Sequence, residues 1–317
     1  MELSRAYTRL VLYFKTERNN AMNWKSWMLP GAIFIASGCK IQYQTEKIEY
    51  RAESRDIREG KRLTMLVCGS CHYNFETKDF SGKKLEDSPG IIGKIYSANI
   101  TRDPEHGAGK YSPGELAYLI RTGISRTGRL MPYMHRPNMA NQDLDAIIAY
   151  LKSDDPAVQP SARKAGKTKY TPIGRLGLSM VKAGEYRDSS IQKPKSDAVL
   201  LGKYLVDNLA CYHCHSKSFA SLDALDPAKS KGFMGGGNKL RDASRKKIRT
   251  PNLTPHATGI QDWTEAEFRR AITEGVAKDN SVISYPMPLF PELTEEESAA
   301  IYVYLKTIPP IKNKVKR

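Results

Sequence analysis

The chain is 317 residues long, 40% of them hydrophobic, and its 50 Lys and Arg against 34 Asp and Glu give a formal charge of +16. That length can bury the cores of two modest domains, and no apolar run reaches the roughly eighteen residues of a spanning helix. The charge predicts attraction to anionic partners without choosing among acidic protein, lipid surface and nucleic acid; of five cysteines, four sit in two short motifs, which leaves none for a disulfide framework.

The first element is a short apolar run, Trp27 to Gly38, preceded by Lys25. Its length suits the core of an export signal. It ends at Ala36-Ser37-Gly38-Cys39, which resembles the lipobox of bacterial lipoproteins. That resemblance makes Cys39 the lipidated first residue of the mature chain, and so a membrane anchor. Residues 1–39 read as a lipoprotein-type signal segment, with Met22 as the true start because residues 1–21 form a long polar lead-in. Residues 40–57 read as an N-terminal linker.

Beyond this point the chain repeats itself, which decides its organisation. A helix expected near 57–67 leads into Cys68-Gly69-Ser70-Cys71-His72, and one near 198–210 leads into Cys211-Tyr212-His213-Cys214-His215. Next come Ser97-Ala98-Asn99-Ile100-Thr101 and Thr250-Pro251-Asn252-Leu253-Thr254. Two capping boxes follow, Ser112 with Glu115 and Thr264 with Glu267, the first reinforced by Pro113 at the opening helical position. Behind them Leu116, Leu119, Ile120 and Phe268, Ala271, Ile272 recur at helical spacing and give each helix one buried face. Each copy then offers a methionine before proline, Met131-Pro132 and Met287-Pro288. A closing helix begins at Asn141 or Thr294 and ends at Tyr150-Leu151-Lys152 or Tyr304-Leu305-Lys306. Gly60 and Gly202 lie inside the leading helices, where glycine costs stability; they either permit close approach of the closing helix with Tyr150 or Tyr304, or lie on the surface. The expected organisation is mostly α: one domain at 58–154, a basic, Pro-containing linker at 155–196, a second domain at 197–310 and a basic tail at 311–317.

A Cys-x-x-Cys pair followed by His is the attachment motif of a c-type haem. A zinc cage would need the two motifs to meet in space and would leave the adjoining histidines without a role. A thioredoxin-like redox pair would need a βαβ setting that neither motif has. The expectation is therefore two covalently bound haem c groups, at Cys68, Cys71 and Cys211, Cys214, with His72 and His215 on the irons. A soft, uncharged thioether as sixth ligand raises the potential, and Met131 and Met287 are the candidates. Met134 competes with Met131, but Met287 is the only methionine of the matching loop, and its Met-Pro context favours Met131. His213 reads as an outward-facing filler, and His106, His135 and His256 as loop residues.

Both halves resemble class I cytochrome c domains, and the Asn-Ile/Leu-Thr segment, the capped helix and the turn before Met131 are similar to the cytochrome c subunits of membrane-bound bacterial alcohol and sugar dehydrogenases. The resemblance covers most of the chain beyond residue 58. It departs in having two haem motifs where those subunits usually carry three, and in ending on a polar run in place of a membrane segment. It implies two tandem class I domains and an electron carrier without catalytic residues of its own. Such a carrier passes electrons from an exported dehydrogenase or quinol-linked donor to a downstream cytochrome or terminal oxidase. Pro89 resembles the proline whose carbonyl orients the axial histidine, although the second copy has Gly235-Gly236-Gly237 in that region. Tyr111 and Trp263 occupy equivalent positions, either bonding a propionate or packing in the core. The basic cluster Lys239, Arg241, Arg245, Lys246, Lys247 and Arg249 would steer an acidic redox partner. Nucleic acid is not an expected partner, since no basic-aromatic platform accompanies the charge. A di-haem peroxidase or thiosulfate dehydrogenase is the enzyme alternative; the first needs an open sixth position and the second a cysteine ligand, and neither is in view. Haem attachment also implies export, to the periplasmic or envelope side.

Overall fold

The computed structural model describes residues 50, 56–181, 183, 184, 186 and 191–315. The signal segment, Met22 and Cys39 lie outside the described residues. Helix α1 (Ile57–Thr64) is started by Asp56, whose carboxylate accepts the Glu59 amide. It runs without a break through a π-helical turn, Met65–Gly69, into a last short turn at Ser70–His72. Strands β1 (Lys84–Leu85) and β2 (Gly93–Tyr96) pair antiparallel. Helix α2 (Pro113–Thr122) carries the expected capping box and ends on Gly123 in the left-handed conformation, φ 74°. Helix α3 (Asn141–Leu151) closes this half.

The segment expected as a linker is folded onto its neighbours. Its strand β3 (Lys169–Tyr170) adds to β2, giving the order β1-β2-β3, and helix α4 (Pro172–Ser179) follows. The second half then repeats the first. Helix α5 (Ala198–Asn208) leads to α6 (Cys211–His215), a β4–β5 hairpin (Lys239–Arg241 with Lys247–Arg249), capped helix α7 (Glu265–Thr273) and capped helix α8 (Glu295–Thr307). Among the described residues no helix is long and apolar enough to cross a membrane.

The leading and closing helices of each half cross at their glycines. A Cβ on Gly60 would lie 2.0 Å from the Ala146 carbonyl oxygen and 2.8 Å from Tyr150 Cβ; on Gly202 it would lie 2.0 Å from the Ala300 oxygen and 2.6 Å from Tyr304 Cβ. Backbone touches backbone at both points, so these glycines serve close approach and are not surface residues. Around the first crossing Leu63, Leu144, Ile147 and Tyr150 are buried, and around the second Leu201, Leu205, Ile301 and Leu305.

Hydrogen bonds join the stretch after each closing helix to the half it follows. Asn99 Nδ2 donates to the carbonyls of Ser161 and Arg163, while Asn252 Nδ2 donates to that of Ile311. Asn313 Nδ2 donates to the Gly235 carbonyl. The stretch after each closing helix thus completes its own half, and residues 311–313 are not a free tail. The two halves are tied by Arg62, whose guanidinium grips the Glu297 carboxylate at 2.7 and 3.0 Å, and by Lys193, which lies 3.6 Å from Asp143 and 3.2 Å from Glu297.

Candidate metal centres

Each Cys-x-x-Cys-His segment sits at the end of a leading helix, so both thiols and the imidazole project from one helical turn. None of the four cysteines is in a disulfide. Burial pushes Cys68, Cys211 and Cys214 up to about 12. Among the described residues no group of three or more His, Cys, Asp or Glu is arranged to hold a metal ion.

The two histidines are fixed in the same way. His72 Nδ1 lies 2.7 Å from the Ala98 carbonyl oxygen, and His215 Nδ1 lies 3.0 Å from that of Pro251. A carbonyl only accepts, so Nδ1 carries the proton and Nε2 keeps its lone pair. Burial lowers the pKa of both rings, partly offset by these bonds, and holds them neutral. The backbone braces the turn as well: the Gly82 amide donates to His72 O at 3.0 Å and the Gly236 amide to His215 O at 2.7 Å. Pro89 therefore does not hold the orienting place that was expected of it; the Ala98 carbonyl does. Sequence reasoning missed Ala98 and Pro251, although both immediately precede the repeated Asn-Ile/Leu-Thr. In that repeat Asn99 Oδ1 accepts from the Thr101 amide and hydroxyl, and Asn252 Oδ1 from those of Thr254.

Met134, not Met131, faces His72: its sulfur lies 3.4 Å from His72 Nε2. The backbone explains the difference from the sequence expectation. The Met131 amide bonds the carbonyl of Gly123, just as the Ile283 amide bonds that of Gly275, so Met131 answers to Ile283. The Met134 amide bonds the Met131 carbonyl as the Met287 amide bonds that of Ser284. Matching Met-Pro to Met-Pro sets Met131 against Met287, whereas the backbone bonding sets Met134 against it across a one-residue change of register. Met287 is part-buried, packed against the core.

Two other expectations change, and an open alternative at Tyr111 and Trp263 is resolved. His213 does not face outward: its ring packs edge-on against Tyr133 of the first half, centroids 6.0 Å apart, and burial lowers its pKa to about 3. His135 is buried, not a surface loop residue, and burial lowers it to about 4. Tyr111 and Trp263 pack against the core. His106 and His256 do lie in loops, the first 3.3 Å from Asp103 and the second bonded to Thr258. The basic cluster forms the β4–β5 hairpin, with Lys239, Arg245, Lys246, Lys247 and Arg249 exposed.

Paired thiols, a neutral imidazole with its Nε2 lone pair and, at the first segment, a thioether 3.4 Å from that nitrogen are donors that would suit a haem c. Residues 57–154 match the family model described as Cytochrome c. Across 277 residues the chain is 27% identical to the cytochrome c subunit of the quinone alcohol dehydrogenase of Gluconacetobacter polyoxogenes, covering 82% of this chain and 57% of that one. It is 26% identical to the fructose dehydrogenase cytochrome subunit of Gluconobacter japonicus, over 87% of this chain and 58% of that one. A diheme cytochrome c-type protein of Cereibacter sphaeroides is 27% identical over 77% of this chain and 82% of its own length. The chain spans little more than half the length of the two dehydrogenase subunits.

Proposed function

We propose that this chain, whose residues 57–154 are a cytochrome c domain with its implied haem c, is a di-haem electron carrier built of two tandem class I domains. Cys68 and Cys71 would hold one haem and Cys211 and Cys214 the second, with His72 and Met134, and His215 and Met287, as axial pairs. The approach of Met134 Sδ to His72 Nε2 carries this reading. When bound, haem c supplies a one-electron ferric/ferrous couple. The protein's own part is to tune and shield that couple. The carbonyls of Ala98 and Pro251 fix the imidazole rings and raise their basicity. Thioether ligands favour the ferrous state and close the sixth position to peroxide or substrate, which supports carrying electrons over doing chemistry.

Likeness to dehydrogenase cytochrome subunits supports a dehydrogenase as donor, with a cytochrome or oxidase downstream. The exposed β4–β5 hairpin supplies a positive face for an acidic partner. Export and an acyl anchor at Cys39 belong to the same reading; mass spectrometry of the mature N-terminus tests them, and an unmodified peptide spanning Cys39 refutes the anchor. The ligand assignment is tested by near-infrared absorption of the ferric protein, where Met ligation gives a weak sulfur-to-iron band. Met134→Ala halves that band, whereas Met131→Ala leaves it intact; the opposite pattern overturns the assignment.

A further inference from the structure

We propose that the two halves meet through their cysteine-histidine segments and that Arg136 is a shared positive charge that raises the reduction potentials of both sites. This rests on the reading of both segments as haem sites.

Arg136 follows the Met134 turn, and its guanidinium is held by carbonyls alone. Nε donates to the Asn208 carbonyl of the second half at 2.7 Å, and Nη1 donates to those of Tyr133 and His135 at 3.0 and 2.9 Å. Asn208 is the last residue of α5, the helix that delivers Cys211. The charge lies within electrostatic reach of Cys68 and Cys71 on one side and of Cys211 and Tyr212 on the other. Beside it the Tyr133 ring packs on His213, between the two cysteines of the second motif, and Tyr133 interacts with both Cys71 and Cys214. Cys214 and Cys71 interact with each other too. Four residues of the second attachment segment and two of the first thus surround one contact.

No carboxylate among the described residues forms an ion pair with Arg136, and burial pulls its pKa below the ordinary arginine value. Its charge nevertheless persists, because a guanidinium starts so high. A half-buried cation held by carbonyls acts over a longer range than one wholly in water. Taking up an electron removes one positive charge from an iron centre, so a fixed cation nearby favours the ferrous form. Because the cation is common to both attachment segments, both couples feel it. With a haem held at each segment, an electron given up by one centre would be taken up by the other, so no further reactant is required.

The test is spectroelectrochemical titration of the intact holoprotein as wild type, Arg136→Gln and Arg136→Lys, with the haem count per chain fixed by mass in each. Arg136→Gln keeps donors but loses the charge. At fixed potential it lowers the ferrous-to-ferric ratio of both centres about tenfold, a downward shift of about 59 mV for a one-electron couple. Arg136→Lys restores both midpoints. A shift confined to one centre, unchanged midpoints, or failure of lysine to restore them overturns the inference. If Arg136→Gln does not accumulate as holoprotein, Tyr133→Leu serves: it opens the contact to water, which screens the charge, so both midpoints fall together, and unchanged midpoints refute it. A wild-type count below two haems overturns the di-haem reading itself and is seen before any titration.

Discussion

Replacing Gly60 by alanine tests the helix crossing on which the first haem segment rests. The added Cβ would stand 2.0 Å from the Ala146 carbonyl oxygen, where ordinary contact begins at 3.4 Å. The obstacle is backbone, so no rotamer change relieves it, and α1 must move by more than 1 Å or lose contact with α3. Overpacking of this kind costs about 1–3 kcal/mol, and the upper end applies where nothing can yield. Alanine's better helix propensity returns about 1 kcal/mol. The net loss is about 2 kcal/mol, or roughly 4–8 °C in Tm for a unit of this size. Gly202→Ala, with the same 2.0 Å approach to Ala300, behaves alike. Gly177, in α4, has nothing within 4 Å of a built Cβ, so Gly177→Ala is stabilising by up to about 1 kcal/mol. Thermal melts of the three variants give the answer. A neutral Gly60→Ala, or a Gly177→Ala as damaging as the other two, would refute the crossing argument.

Glu297 gives a pH-dependent prediction. Burial alone would raise its carboxyl, but the hydrogen bonds from Arg62 override this and hold its folded pKa below the ordinary value. A depressed carboxylate stabilises the fold above its unfolded pKa of about 4.3 and stops doing so as pH falls through the folded value. Glu297→Gln therefore costs about 2 kcal/mol at neutral pH, since Arg62 keeps its pair with Glu59, and urea melts show the gap to wild type closing below about pH 4. Asn252→Ala leaves the buried amide and hydroxyl of Thr254 without Asn252 Oδ1 and costs about 1–3 kcal/mol; it also loosens the Pro251 carbonyl on His215, so the potential of the second site shifts in the same protein. Reversing Lys246 and Lys247 to glutamate slows reduction of an acidic partner roughly tenfold at low salt and flattens the ionic-strength dependence, as stopped-flow rates will show.

The elements legible in the sequence are those whose signals are local. Ser112 with Glu115 and Thr264 with Glu267 locate two helix starts, and both boxes form in full. The Cys-x-x-Cys-His segments likewise state their own chemistry. Gly60 and Gly202 were ambiguous because a glycine does not reveal what crosses it. Met134 was hidden for a different reason: the repeat is in register at Gly123 and Gly275 but not through the loop that follows. Only the backbone hydrogen bonds show that Met131 answers to Ile283. His213 was misread because a single Cys-x-x-Cys motif, taken alone, has a solvent side, which here is occupied by Tyr133 from the other half. The carbonyls of Ala98 and Pro251 escaped because the backbone groups that hold the histidines leave no mark on residue type.

The proposed electron carrier requires two covalent haems per chain, both closed by methionine. Haem quantitation of the purified holoprotein, read with the near-infrared and high-spin regions of its ferric spectrum, tests it directly. Two haems are expected, both low-spin, with a sulfur-to-iron band of twice the single-site intensity. One haem per chain, or a high-spin centre in the oxidised protein, would contradict it.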